Sequence, residues 1–355
     1  MEFPTRLLAW YSVAKRDLPW RRTKDPYLVW LSEIIMQQTR VEQGTPYYDR
    51  FVEAYPAVQL LAAAGEQEIL KLWQGLGYYS RARNLHATAR KIVEDYDGLF
   101  PGTYNGIRKL KGIGDYTAAA IASICFGLPY PVVDGNVLRF VARLHGIEES
   151  IDHPAVKKRI LAIVTKNIEH ANPGDFNQAM MEFGALVCVP ANPGCSGCIF
   201  QGDCIACRKN VADTIPRRNV KPAIRHRYLN YLVLTVSIHG EEFIYMNRRT
   251  GSDIWKNLYD FPVMEFAAND EGNRSPEQIF GSMLAFNSPS FLKVSGQYQH
   301  LLTHQKLHAW FYRFHSDIMI ELPFYLVPLN DIHEYPVPKL IDRYLLDEDG
   351  MREDP

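Results

Sequence analysis

The sequence predicts two unlike parts, an all-α N-terminal part and an α+β C-terminal domain, and three observations carry that division. Up to about residue 207 the apolar residues recur at helical spacing; a proline-containing basic stretch follows; after it the chain breaks into short β-prone runs. At 355 residues the chain is also longer than one core ordinarily organises. We place the first domain at residues 1–207, a basic linker at 208–227 and the second domain at 228–350.

In the first part Tyr27–Thr39 reads as a helix, because Leu28, Leu31, Ile35 and Met36 keep one face. Thr117–Phe126, Val137–His145, Pro154–Ile168 and Phe176–Cys188 read the same way, with Pro101-Gly102 and Pro173-Gly174 as punctuation. The segment from Arg208 to Arg227 carries Pro216, Pro222 and seven basic residues, and so has little to bury. Beyond it, Tyr228–Ile238, Phe243–Asn247, Phe291–Val294 and Leu307–Phe314 are expected to be strands, and Pro276–Phe286 and Lys339–Leu346 helices. No internal repeat is found.

Composition narrows the function classes. Hydrophobic residues make up 47% and charged residues 22%, as in a soluble globular protein. No apolar run approaches the ~20 residues that cross a bilayer, and the N-terminus lacks a signal-peptide core, so a cytoplasmic location is expected. The net charge of −1 hides an asymmetry: residues 1–227 carry +7 and residues 228–355 carry −8. A basic N-terminal part suits a polyanion without proving one.

Five of the six cysteines crowd into twenty residues, and Cys188, Cys195, Cys198 and Cys204 give C-x6-C-x2-C-x5-C. A disulfide framework is not expected in a cytosolic chain of this size, so the cluster points to a metal, either a zinc ion or a cubane iron–sulfur cluster. Cys207 is surplus to four ligands. Cys125 lies in an apolar helix and reads as a structural thiol.

Leu110-Lys111-Gly112-Ile113-Gly114-Asp115-Tyr116-Thr117 stands between two helical stretches. Its glycines permit a tight turn with outward backbone N–H groups and a helix immediately after, an arrangement that suits a phosphate; from the glycines alone a plain interhelical turn is the default reading. Asp134, in Val132-Val133-Asp134-Gly135-Asn136-Val137, reads first as an N-cap. Glu33, in Trp30-Leu31-Ser32-Glu33-Ile34-Ile35-Met36-Gln37-Gln38-Thr39, reads by default as a helix-surface acid.

Taken together, the cysteine spacing, the Gly-x-Gly hairpin, the Val-Val-Asp-Gly-Asn-Val segment and the Trp-Leu-Ser-Glu-x-x-x-Gln-Gln-Thr run resemble the MutY-type, adenine-removing branch of the helix-hairpin-helix (endonuclease III) superfamily of DNA glycosylases. The resemblance covers residues 3–207 strongly and 228–345 weakly. It implies a 4Fe–4S cluster on Cys188, Cys195, Cys198 and Cys204 that orders a DNA-facing loop. It makes Glu33 the general acid toward adenine N7 and Asp134 the carboxylate that stabilises or traps the oxocarbenium sugar, with Tyr116 and Asn136 orienting them. In endonuclease III relatives the Tyr116 position is a lysine that forms a Schiff base, so tyrosine implies a monofunctional enzyme.

The resemblance further implies that the adenine is flipped out of the duplex into a pocket lined by Arg16, Trp20, Met36 and Gln178. Gln38, Tyr78, Lys111, Gly112 and Gly114 would contact the DNA. The C-terminal domain resembles the MutT-like (Nudix) fold through Leu258-Tyr259-Asp260-Phe261-Pro262, but the sequence has no glutamate-rich Nudix box. In MutY relatives a Phe-Ser-His loop reads 8-oxoguanine; here it corresponds to Leu302-Thr303-His304, where leucine replaces the aromatic ring and Thr303 and His304 remain as contacts. The expected substrate is duplex DNA with an adenine:8-oxoguanine mispair, acted on by a monomer. The competing readings are a bifunctional pyrimidine-lesion glycosylase, a redox-sensing DNA-binding protein and a Nudix hydrolase. Tyr116 and Glu33 argue against the first, the Glu33/Asp134 pair against the second and the absent box against the third.

Overall fold

The computed structural model of the protein describes residues 2–217, 219, 224–266, 275–284 and 289–347. Pro222 and its neighbours in the linker, and Ala285 and Phe286 of the expected 276–286 helix, lie outside the described residues.

Twelve helices occupy the first 208 positions among the described residues: α1 (Phe3–Ala14), α2 (Pro26–Ile35), α3 (Val41–Ala54), α4 (Val58–Ala63), α5 (Glu66–Leu72), α6 (Ser80–Tyr96), α7 (Tyr104–Arg108), α8 (Asp115–Phe126), α9 (Gly135–Leu144), α10 (Pro154–Ile168), α11 (Pro173–Leu186) and α12 (Ile205–Arg208). Their starts are set by capping chemistry. Asp25, Asp134 and Asn172 each accept a backbone N–H of the first turn, and proline stands at the head of α2, α10 and α11, where its missing N–H costs nothing. These caps explain why α2, α9 and α11 begin earlier than the apolar pattern alone indicates.

The expectation of a helix through Thr39 is corrected. α2 ends at Ile35, and Gln38 takes φ +56°, a left-handed turn that an α-helix cannot contain.

By density of contacts the chain forms two units, and they do not follow chain order. The first is Met1–Ala63 with Asn84–Val220; the second joins Ala64–Arg83 to Lys221–Pro355. Within the first unit a core of Phe140, Phe176, Phe183, Phe200, Val137 and Ile160 is fully or almost fully buried. Phe140 and Phe183 are 4.6 Å apart between ring centroids, and Phe183 meets Phe200 edge-on at 5.3 Å. Each buried ring stabilises the fold by roughly 1.5–3 kcal/mol relative to exposure, and together they fix α9 against α11.

The second unit carries a mixed sheet: β1 (Arg225–Ile238), β2 (Glu241–Arg248), β3 (Tyr259–Asp260), β4 (Val263–Phe266), β5 (Ser290–Val294), β6 (Tyr298–Leu301), β7 (Gln305–Ser316) and β8 (Tyr325–Pro328). The order is β3-β2-β1-β7-β5, with β4 also on β1, β6 on β7 and β8 on β2. β1 and β7 run parallel from Arg225↔Gln305 to Val236↔Ser316, and the other pairings are antiparallel. Strand β1 therefore starts at Arg225, inside the stretch expected to be linker, where the Arg225 N–H bonds the His304 carbonyl at 3.0 Å.

Helices α13 (Pro276–Leu284) and α14 (Lys339–Asp347) complete this unit, and Tyr344 of α14 stacks on Phe311 of β7 at 3.8 Å. Asp260 of the Leu-Tyr-Asp-Phe-Pro segment is fully buried on Arg249 (2.8 Å) and Asn247 (2.9 Å), and burial pushes its carboxyl up to about 6. Its role is internal to the sheet. No helix among the described residues is long and apolar enough to cross a membrane.

Candidate active site

Glu33 sits near the C-terminal end of α2 among Ser32, Ile34 and Ile35, all buried. Burial pushes its carboxyl up to about 7, reinforced by the nearby negative charge of Asp134 and opposed by a hydrogen bond with Tyr116 and by the Arg21 cation. The upward shift lets Glu33 hold a proton closer to neutral pH than an ordinary carboxyl does. Burial likewise holds the Tyr116 phenol well above 10, so it stays a hydroxyl. That hydroxyl also donates to Met181 Sδ at 3.2 Å. It can therefore accept from Glu33 when the acid is protonated and donate to it when ionised.

Tyr116 stands in the first turn of α8, directly after the hairpin. The hairpin turns at Gly112, φ +77°, where a Cβ would stand 2.8 Å from that of Asn84. Thr88 Oγ1 donates to the Lys111 carbonyl at 2.7 Å, fixing the turn to α6. Gly114 is the N-cap of α8 and offers no side-chain acceptor, so first-turn N–H groups are left for another acceptor. Lys111, Gly112 and Gly114 are all exposed.

Asp134 is the N-cap of α9. Its Oδ1 accepts the Val137 N–H at 2.8 Å and its Oδ2 accepts Asn136 Nδ2 at 2.8 Å. Burial raises its pKa, while those hydrogen bonds and Arg139 hold it down. The N-cap reading made from sequence thus holds, and Asp134 also lies close enough to Glu33 to perturb it.

Several residues that the sequence did not single out hold this geometry. Arg139, buried on α9, donates to Asn136 Oδ1 (2.9 Å), the Gly184 carbonyl (2.6 Å) and the Cys188 carbonyl (2.7 Å). Gly184 of α11 lies so close that a Cβ there would be 2.7 Å from the Asn136 carbonyl oxygen. Buried Asn177 accepts the Val132 N–H (2.9 Å) and donates to the Tyr130 carbonyl (2.8 Å), setting the strand of chain that delivers Asp134.

The four residues expected to line an adenine pocket fall into two groups. Arg16 is clamped on Glu182 through its backbone N–H, Nε and Nη2, and Gln178, one turn earlier on α11, accepts the Tyr11 hydroxyl at 3.1 Å. Glu182 also binds Arg21; although its burial works upward, these bonds hold its carboxyl down at about 2. Trp20 and Met36 instead pack against α3, on Tyr48 (ring centroids 5.2 Å) and on Gly44 respectively.

The cysteines Cys188, Cys195, Cys198, Cys204 and Cys207 face one cavity, and Cys125 stands on α8. Arg143, one turn beyond Arg139 on α9, is buried beneath this loop. It donates to the carbonyls of Val189 (2.6 Å), Pro190 (2.9 Å) and Ile215 (2.7 Å) and to Cys188 Sγ (3.5 Å). The helix capped by Asp134 and the cysteine loop are therefore joined by the hydrogen bonds of Arg139 and Arg143.

In the second unit Tyr78, exposed and at φ +49°, shares a hydrogen bond with the Thr303 hydroxyl. Thr303 and His304 form the exposed turn between β6 and β7, closed by the Leu302 N–H on the Gln305 carbonyl at 2.8 Å. Tyr78, Thr303 and His304 line a cavity together with Gly77, Trp255 and His300. Gln38, in the first unit, is exposed.

Residues 31–166 match the family described as HhH-GPD superfamily base excision DNA repair protein, and residues 233–347 match a NUDIX domain. The adenine DNA glycosylase of Buchnera aphidicola subsp. Acyrthosiphon pisum is 35% identical over 261 residues, 73% of this chain and 73% of that protein. The Homo sapiens adenine DNA glycosylase is 44% identical over 213 residues, 58% of this chain and 39% of that one. Among solved structures, a thermostable thymine-DNA glycosylase superposes with TM-score 0.53 at 28% identity, over 58% of this chain and 95% of its own. A trapped endonuclease III–DNA covalent intermediate gives 0.51 at 22%, over 58% and 94%, which shows a shared fold.

Proposed function

The chain belongs to the adenine DNA glycosylases of the HhH-GPD base-excision repair superfamily, and we propose that it excises adenine opposite 8-oxoguanine or guanine, with Glu33 as the acid and Asp134 as the counter-charge. The observation that carries the reading is the placement of Glu33 beside the Tyr116 hydroxyl and close to the Asp134 carboxylate, where burial pushes its carboxyl up to about 7.

An N-glycosidic bond breaks when the leaving purine is protonated and the sugar's positive charge is stabilised. Glu33, poised at about 7, gives its proton to adenine N7, and the resulting carboxylate then takes a proton from the attacking water. Asp134, held by Val137 and Asn136, presents its charge to the oxocarbenium face of the sugar or bonds to it. Tyr116 bonds Glu33 in both protonation states and offers no amine, so the strand is left intact. Arg16, Trp20, Met36 and Gln178 are assigned to the flipped base, and Lys111 with the Gly112 and Gly114 turn to the phosphates.

Cys188, Cys195, Cys198 and Cys204 would hold a 4Fe–4S cluster. Their thiols line one cavity. The likeness of their spacing to that of the cluster loop in the endonuclease III/MutY superfamily supports a 4Fe–4S cluster there. Burial pushes the Cys198 thiol up to about 11, so thiolate there requires a metal to displace the proton. When bound, the cluster supplies loop order, which Arg143 transmits to the helix capped by Asp134.

The opposite base is assigned to Tyr78, Thr303 and His304, and Gln38 is assigned to a DNA contact of its own. The Tyr78–Thr303 hydrogen bond supports this, since it holds together two residues picked out separately from sequence. A directional base contact is worth about 1–3 kcal/mol, so Thr303→Ala should reduce the preference for 8-oxoguanine over guanine by roughly tenfold while changing the guanine rate little. Single-turnover rates on both duplexes test the assignment; an unchanged preference would remove Thr303 from it.

A further inference from the structure

In the turn Gly75-Leu76-Gly77-Tyr78 three residues take left-handed backbone angles: Gly75 at φ +90°, Gly77 at +76° and Tyr78 at +49°. Glycine adopts this region freely, whereas tyrosine does so only where its surroundings impose it. A Cβ on Gly77 would meet nothing within 4 Å, so close packing does not impose it there. Hydrogen bonds do. Trp73 Nε1 donates to the Gly77 carbonyl at 3.0 Å, and Arg81 Nη2 donates to the same carbonyl at 3.1 Å.

The residues on either side of the turn reach one C-terminal peptide. Gln74 Oε1 accepts the Val337 N–H at 3.2 Å. The Tyr79 hydroxyl donates to the Val337 carbonyl at 3.3 Å while accepting the Gly75 N–H at 3.3 Å. The other end of the Gln74 amide is used as well, since its Nε2 donates to Asp342 Oδ1 of α14 at 2.8 Å. Val337 itself is fully buried, two positions ahead of α14.

Resting on the assignment of Tyr78 to the opposite base, we propose that Gln74 is a positioning residue for that contact. With Tyr79 it brackets the turn against the Val337 peptide, and through Asp342 it ties the turn to α14. The C-terminal residues thereby act on the opposite base by two routes: the side chains of Thr303 and His304, and the direction in which the Tyr78 ring is presented. Gln74→Ala removes the bonds to Val337 and Asp342 together and leaves the Tyr78 ring chemically intact. Asp342→Ala removes one of them, and Asp342→Asn keeps an acceptor oxygen for the Gln74 amide.

Single-turnover adenine release opposite 8-oxoguanine and opposite guanine, measured on the full chain, tests this as a double-variant cycle. Tyr78→Ala should lower the preference for 8-oxoguanine by about tenfold, the effect of one lost base contact. Gln74→Ala should lower it by at least about threefold in the wild-type background and by less than about twofold when added to Tyr78→Ala, where no ring remains to be positioned. Asp342→Ala should act in the same direction, and Asp342→Asn should stay within about twofold of wild type. An unchanged preference in Gln74→Ala, or an Asp342→Asn no better than Asp342→Ala, would overturn the proposal. So would an equal loss from Gln74→Ala with and without the Tyr78 ring, because Gln74 would then support the fold and not the contact. If Gln74→Ala does not fold, Asp342→Ala with and without Tyr78→Ala gives the same decision. A preference unchanged in Tyr78→Ala would instead bring down the assignment of Tyr78, and the proposal with it.

Discussion

Glu33→Gln is expected to lower the single-turnover rate of adenine release by about 10²–10⁴-fold while leaving affinity for the mispaired duplex close to wild type. Gln keeps the shape of the side chain and its contact with Tyr116 but cannot give a proton to the purine. The wild-type rate should fall as pH rises through about 7, because the Glu33 proton is lost there. The residual rate of the variant should lack that step.

The same carboxyl should cost stability. Its folded pKa of about 7 lies above the ordinary carboxylate value of 4.5, so between these values the unfolded chain ionises first. Stability contributed by the protonated group is full below about 4.5 and is lost as pH rises through about 7, at a cost of up to about 3 kcal/mol. Glu33→Gln should therefore unfold at higher denaturant than wild type at pH 8 and at the same concentration at pH 4. A variant that releases adenine near the wild-type rate removes Glu33 from the chemistry.

Asp134→Asn should be almost as damaging to the rate, and should lower stability only through the lost bond from Asn136 Nδ2, which an amide nitrogen cannot accept. Asparagine caps a helix about as well as aspartate, so the Val137 N–H keeps an acceptor and α9 keeps its start. What disappears is the charge facing the sugar, and removing electrostatic stabilisation of that kind typically costs about 10²–10³-fold. Asp134→Ala should add a loss of about 1 kcal/mol for the missing cap. Single-turnover rates beside urea unfolding separate the two roles. A rate for Asp134→Asn within tenfold of wild type would leave Asp134 a cap alone.

Glu33, Tyr116, Asp134 and the cysteines were legible because each lies in a short run whose chemistry or family likeness is local. Their meeting is not local. It depends on Arg139 reaching Gly184 and Cys188, on Asn177 reaching back to Val132, and on Glu182 gathering Arg16 and Arg21, contacts that span 45 to 166 positions. Spacing along the chain carries no trace of such pairs. Gly184 is an ordinary helical glycine by its sequence neighbours, and only the fold sets Asn136 against it. The grouping of Ala64–Arg83 with the C-terminal residues is of the same kind, made by pairs such as Gln74 with Asp342 and Asn257 with Glu66. Short strands such as β3 and β8, of two and four residues, give too little alternation to read.

The most direct test is product analysis on duplexes carrying adenine opposite 8-oxoguanine, adenine opposite guanine, and thymine opposite guanine. The account predicts free adenine from the first two, nothing from the third, and a strand that breaks only on later treatment with alkali. Release of thymine, or strand scission that borohydride traps on a lysine of the protein, would contradict the reading of Glu33 and Tyr116 on which everything else rests.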